Sequence, residues 1–268
     1  MNTEIVIVTA LEEERDLVLA LLPAHHKEMP TNEDIRTYFR SNLEIQFPNG
    51  DATTYGITVL CLLNYGRLEA LNATKDAINR WHPRYVILVG IAGGIKQNEA
   101  ALGDVLVSSS VVDYELQKMK EDTTSFRFET HKCDPRLLSA AQSIVDDEWM
   151  KAIRTKRPHK GRPARRISPV ATGDKVVQNE SFLQQLLSHE PKLLGVEMEA
   201  GGAASACFQS AHRPAFFMVR AVSDLADKDK ESRSVKKWRT YACTRRFSPS
   251  ILSWNGQLKT VCCPPARS

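Results

Sequence analysis

Short β-branched apolar runs alternate with polar stretches of helical spacing along most of the chain. The first run, residues 5–9 (IVIVT), predicts a buried strand. Residues 11–22 follow as a helix, with Leu11, Val18 and Leu22 at helical intervals. Glu12, Glu13 and Glu14 fall in its first turn, where acids suit the positive end of the helix dipole. Residues 37–46 and 54–63 read as strands around the turn Pro48-Asn49-Gly50-Asp51. A helix is expected over 68–80. The wholly apolar strand 85–89 (YVILV) then runs into Gly90-Ile91-Ala92-Gly93-Gly94, which on its own reads as a tight glycine turn. Further strands are expected at 104–108, 167–172, 194–197 and 215–222, and helices at 135–149, 181–187 and 201–211.

Strands and helices in alternation, with two strands adjacent early on, imply an α/β domain. Its sheet should be largely parallel but mixed, with helices on both faces. No linker and no internal repeat divides residues 1–243.

Charge changes this picture in two places. Residues 151–166 hold eight Lys/Arg and no acid, and so do residues 233–268, which leaves the remaining body acidic. Neither basic segment has the interleaved aromatics of a nucleic-acid stacking platform, so a solvated loop and an irregular tail are expected rather than a nucleic-acid partner. No apolar stretch approaches the roughly 18–20 residues of a membrane span. No basic segment leads into an apolar core at the N-terminus, so the cytoplasm is the expected compartment. The six cysteines are scattered, without a CxxC pair, and are expected to be reduced thiols. The seven histidines show no metal-ligand spacing.

Candidate chemistry gathers at the ends of predicted strands, where open α/β sheets place their sites. The glycine run lets backbone approach a ligand closely. Glu197 and Glu199 flank Met198 on what should be an extended segment, so both carboxylates point one way, as two acceptors for a sugar diol would. Two acids aimed together are rarely structural unless an arginine pairs with them. Asp224 closes an apolar strand broken by Arg220. It is placed either for acid–base work or, with Ser223, to cap a helix.

Together, IVIVTALEEE, VGIAGGI with LGDVLVSSSVVDYE, ATGDKVV, GVEMEA and MVRAVSDLAD resemble the purine nucleoside phosphorylase and uridine phosphorylase superfamily. Within it, they are most similar to the methylthioadenosine/S-adenosylhomocysteine nucleosidase branch. The resemblance implies a three-layer α/β/α sandwich with a mixed central sheet. It also implies cleavage of the N-glycosidic bond of a purine nucleoside or nucleotide, without metal or organic cofactor. Carried over residue by residue, Asp224 would protonate or hydrogen-bond N7 of the leaving base, with Ser223 orienting it. Glu199 would hold the ribose hydroxyls, with Met198 against the sugar, and Glu14 would activate the attacking water. Ala92 and Gly93 would line the pocket with backbone, Val177 would contact the base, and Arg220 would neighbour the catalytic acid. A homodimer is the assembly the resemblance implies.

Phosphorylases of this superfamily hold phosphate with an Arg and a Ser near the glycine run, where this chain has Leu88 and Ile91. The acidic first loop would also repel a phosphate dianion. Hydrolysis is therefore expected. Phosphorolysis and a nucleoside-sensing domain with weak turnover stand as the alternatives. Val176 replaces a base-stacking aromatic, which leaves the base and the 5′ group open. Residues 244–268 have no helical period and contain three prolines and the vicinal Cys262-Cys263. They read as a frameshifted or truncated C-terminus where relatives continue into an Ala-rich helix.

Overall fold

The structure, a computed structural model, describes residues 2–32, 34–46, 49–119, 124–144, 157–158, 161–226, 237–239 and 241–242. Residues 244–268, expected to form an irregular tail, and much of the basic segment 151–166 lie outside the described residues.

The elements in chain order are β1 (Ile5–Thr9), α1 (Glu12–Leu19), β2 (His25–Glu28), β3 (Tyr38–Gln46), β4 (Ala52–Cys61), α2 (Arg67–Trp81), β5 (Tyr85–Gly94) and β6 (Val105–Asp113). There follow β7 (Gln117–Met119), β8 (Thr124–Phe126), β9 (Glu129–Lys132), α3 (Pro135–Ser143), β10 (Arg165–Thr172), α4 (Glu180–His189), β11 (Gly195–Glu197), α5 (Ala200–Gln209) and β12 (Ala215–Asp224). The main sheet runs β11-β10-β6-β12-β5-β1-β4-β3-β2. It is mixed, as expected. β1 pairs in parallel with β4 and β5, and β12 with β5, whereas β12–β6 and β3–β4 are antiparallel.

Local chemistry explains the helix ends. Asp134 caps α3 by accepting from the amides of Arg136 and Leu137, with Pro135 in the first turn. Asn179 caps α4 through the amide of Phe182. The small residues of α5 allow close packing on α2, since a Cβ at Gly202 would overlap the Arg67 carbonyl.

Several expectations need correction. The glycine run is not a turn: β5 continues in extended form to Gly94, because β12 pairs along one side of it and β11 crosses back against Gly93 and Gly94. This antiparallel contact closes β5, β12, β6, β10 and β11 into a circuit. Likewise β12 runs through Ser223 and Asp224, so they do not cap a helix. β6 reaches Asp113 because β9 and β10 pair with its second half. α1 stops at Leu19, three residues short of the expected end, while Leu22 is still buried beyond it. The described part of the helix expected over 135–149 ends at Ser143, and residues 145–149 lie outside the described residues. β2, β7, β8 and β9 were not foreseen. β2 is mostly exposed on the sheet edge and carries no apolar alternation to betray it.

Among the described residues no helix is long and apolar enough to cross a membrane. Among them, too, no group of three or more His, Cys, Asp or Glu could hold a metal ion. Cys61, Cys133 and Cys207 are free thiols.

Candidate active site

The site lies at the carboxyl ends of β1, β5 and β12, where the parallel strands leave a cleft beside the start of α1 and α5. Every residue singled out from the sequence lines it: Glu14, Ala92, Gly93, Val177, Glu197, Met198, Glu199, Arg220, Ser223 and Asp224. The cavity measures about 220 Å³ and opens to solvent at its mouth.

Glu14 sits in the first turn of α1 with its side chain folded back. One carboxylate oxygen accepts from the amides of Ala10 (2.9 Å) and Leu11 (3.2 Å), and the other accepts from the amide of Ile91 (3.1 Å). The acid therefore bridges the first loop and β5 while only 2% exposed.

Glu197 and Glu199 do converge, but not for the reason the spacing suggests. β11 ends at Glu197, and Glu199 already has helical dihedrals as the residue before α5. What brings the two carboxylates together is Arg220, whose Nη2 donates to Oε2 of both Glu197 and Glu199, the latter at 2.9 Å. Glu197 also accepts from the amides of Glu199 (3.1 Å) and Ala200 (3.0 and 3.1 Å). Both of its oxygens are thus engaged at the start of α5. Beyond Arg220, Glu199 has among the described residues only the amide of Gly66, at 3.5 Å. Its remaining acceptor capacity faces the cleft.

These contacts set the charge state. Burial pushes the Glu199 carboxyl up to about 7; Arg220 opposes the rise, and Glu197 and Glu14 reinforce it. The buried acids pull the other way on Arg220 and hold its guanidinium charged despite complete burial. Arg220 is shared by Glu197 and Glu199.

Asp224, at the end of β12, is buried. It accepts from Ser223 Oγ (3.0 Å) through Oδ2 and from the amide of Ala226 (3.0 Å) through Oδ1. Ser223 Oγ also lies 3.4 Å from the Ala92 carbonyl, so this pair is tied to the glycine run. Gly93 earns its place by space, since a Cβ there would press on Asp224 and Val196.

Sequence reasoning missed Tyr65, Lys175 and Arg239 in the cleft wall. Tyr65 is 65% exposed in the segment between β4 and α2, and an exposed aromatic one residue from the Gly66 amide was the available signal. Lys175, inside the motif ATGDKVV, is held by Glu115, and Arg239 lies 3.9 Å from Glu13. Val176, also in the wall, is 58% exposed.

With this geometry in hand, the comparisons fall into place. The sequence profile of the phosphorylase superfamily matches residues 4–248. A 5′-methylthioadenosine/S-adenosylhomocysteine nucleosidase of Oceanobacillus iheyensis is 27% identical over 232 residues, 83% of this chain and 86% of that protein. The uncharacterized protein y4jS of Sinorhizobium fredii is 26% identical over 192 residues; that match takes in 68% of this chain and a little under half (46%) of the longer relative. Among solved structures, the methylthioadenosine/S-adenosylhomocysteine nucleosidase of Colwellia psychrerythraea, in complex with adenine, superposes with a TM-score of 0.72 at 20% identity, covering 96% of both chains.

Proposed function

The chain belongs to the phosphorylase superfamily, and from that premise we propose that it hydrolyses the N-glycosidic bond of a purine nucleoside of the methylthioadenosine or S-adenosylhomocysteine type, or a close relative. The observation that carries this reading is the meeting of Glu14, Glu199 and Asp224, from three separate elements, in one cleft. In it, the ionised Glu199 accepts hydrogen bonds from the two ribose hydroxyls. Asp224, oriented by Ser223 and the Ala226 amide, gives a proton to N7 as the C1′–N9 bond breaks. Glu14 takes the proton of the water whose oxygen bonds to C1′. Positive charge builds on the sugar in between, and the surrounding carboxylates stabilise it. The products are free base and the free sugar.

Water rather than phosphate is the nucleophile in this reading. The amides of Ala10, Leu11 and Ile91, which could hold an anion, already donate to Glu14. Arg220 is likewise engaged by two carboxylates. A phosphate dianion would meet acids with no uncommitted buried cation among the site residues described above.

The test is release of free base from methylthioadenosine, S-adenosylhomocysteine, adenosine, inosine, guanosine and AMP, with and without phosphate. Release without phosphate is expected, and Asp224→Asn should slow it by about 10²–10⁴-fold with folding intact. Strict dependence on phosphate overturns hydrolysis, and no release from any of the six overturns the reading as a whole. We propose a homodimer as the assembly, supported by the exposed apolar residues Leu63, Tyr65 and Leu68 between β4 and the start of α2. A single-chain mass by light scattering would refute it.

A further inference from the structure

Gly90 and Arg220 are register partners where β5 and β12 pair in parallel, so their side-chain positions share a face of the sheet. The backbone of Gly90 is not in the left-handed region, where glycine is favoured. What selects glycine here is space: a Cβ at this position would overlap Nη1 of Arg220. The guanidinium thus lies over β5 where any other residue would have a side chain.

We propose that Gly90 is a positioning residue for the carboxylate that holds the ribose: its missing side chain lets Arg220 bring one nitrogen to both Glu197 and Glu199. The inference deepens the proposed function and rests on it for the role of Glu199. The groups facing Glu199 are Arg220 from β12, Glu197 from β11, Glu14 from α1 and the Gly66 amide ahead of α2. One cation therefore serves two buried acids, and they are unequally secured. Glu197 keeps two backbone amides if the guanidinium moves. Glu199 keeps only the long contact to Gly66. Displacing Arg220 by the width of a methyl group falls chiefly on Glu199. Less compensated, its carboxyl holds its proton to higher pH and is a poorer acceptor for the diol.

A double-mutant cycle isolates this effect from simple crowding. Lysine has no Nη1 for the new methyl group to meet. The four proteins are wild type, Gly90→Ala, Arg220→Lys and the double variant. Each is assayed on methylthioadenosine from about pH 5.5 to about pH 9, and thermal unfolding is followed over the same range without substrate. Gly90→Ala should raise KM about tenfold near neutrality, change kcat far less, and move the pH midpoint of KM upward by about one unit. In the Arg220→Lys background, the same substitution should change KM by less than about twofold. Equal effects in both backgrounds, or an unshifted profile in Gly90→Ala, overturn the proposal. Should wild type leave methylthioadenosine uncleaved, the proposed function fails on that substrate, and the unfolding arm still decides. An altered pH profile of Tm only when Arg220 is present supports the pairing, and the same alteration in both backgrounds refutes it. Should Gly90→Ala fail to fold, recovery in the double variant supports the proposal and misfolding of both overturns it.

Discussion

Arg36 and Arg220 each sit between two acids, and the two settings differ in what surrounds them. Ahead of β3, Arg36 donates through Nη1 to Glu69 (2.6 Å) and through Nε to Asp76 (3.0 Å), both on α2. Each acid has its own nitrogen, and the side chains of Glu69 and Asp76 are 21% and 45% exposed. At the cleft, Glu197 and Glu199 share one nitrogen of Arg220, the Nε of Arg220 has no partner among the described residues, and all three side chains are buried. The first arrangement ties a loop to a helix and leaves water to screen the rest. The second confines two acids and one cation where water cannot compensate them, and one acid responds by holding its proton. Similar residue types thus make a brace in one place and a tunable group in the other, and burial makes the difference.

The comparison breaks most visibly if the central cation is removed. Arg220→Met should lower the unfolding free energy by about 3–5 kcal/mol, because it leaves two buried acids unpaired. Arg36→Met, with its partners in reach of water, should lower it by about 1 kcal/mol. Denaturant unfolding of the two variants side by side measures both. Equal losses would erase the distinction.

A smaller effect sharpens it. The Glu199 carboxyl is raised in the folded chain, so its contribution to stability is complete below the ordinary carboxyl range and is lost as pH rises toward about 7. In the proposed reaction binding runs the other way, because there the ionised form accepts both ribose hydroxyls. KM should fall by up to about tenfold per unit as pH rises toward 7 and level off above it. Glu199→Gln should hold KM at its high value and flatten the profile. A wild-type KM that is flat from acid to neutral pH would show that Glu199 does not titrate in this range.

Much of this was legible in the sequence, and the gaps have physical causes. The apolar runs at 5–9, 85–89 and 215–222 announced the central strands, because each is buried on both faces and needs no alternation. All ten candidate residues meet in one cleft, since the ends of neighbouring parallel strands must adjoin. The glycine run misled because periodicity is carried by side chains it does not have. Whether such a stretch turns or extends is decided by β11, about one hundred residues later. The converging acids were seen, but their extended spacing is not what aligns them; Arg220, twenty-one residues beyond Glu199, does that. β2 escaped because an exposed polar edge strand leaves no apolar pattern to read.

The closed circuit of β5, β12, β6, β10 and β11 also bears on how the chain is made. β12 is the last of its strands in chain order and sits between β6 and β5. Until it arrives, both neighbours present open edges, and Arg220, Ser223 and Asp224 are absent altogether. A nascent chain emerging from the ribosome without β12 therefore holds Glu14, Glu197 and Glu199 without their cation. Contacts of such long sequence separation form late and together. Synthesis itself thus imposes a threshold: the cleft is complete only once β12 has paired with β5 and β6.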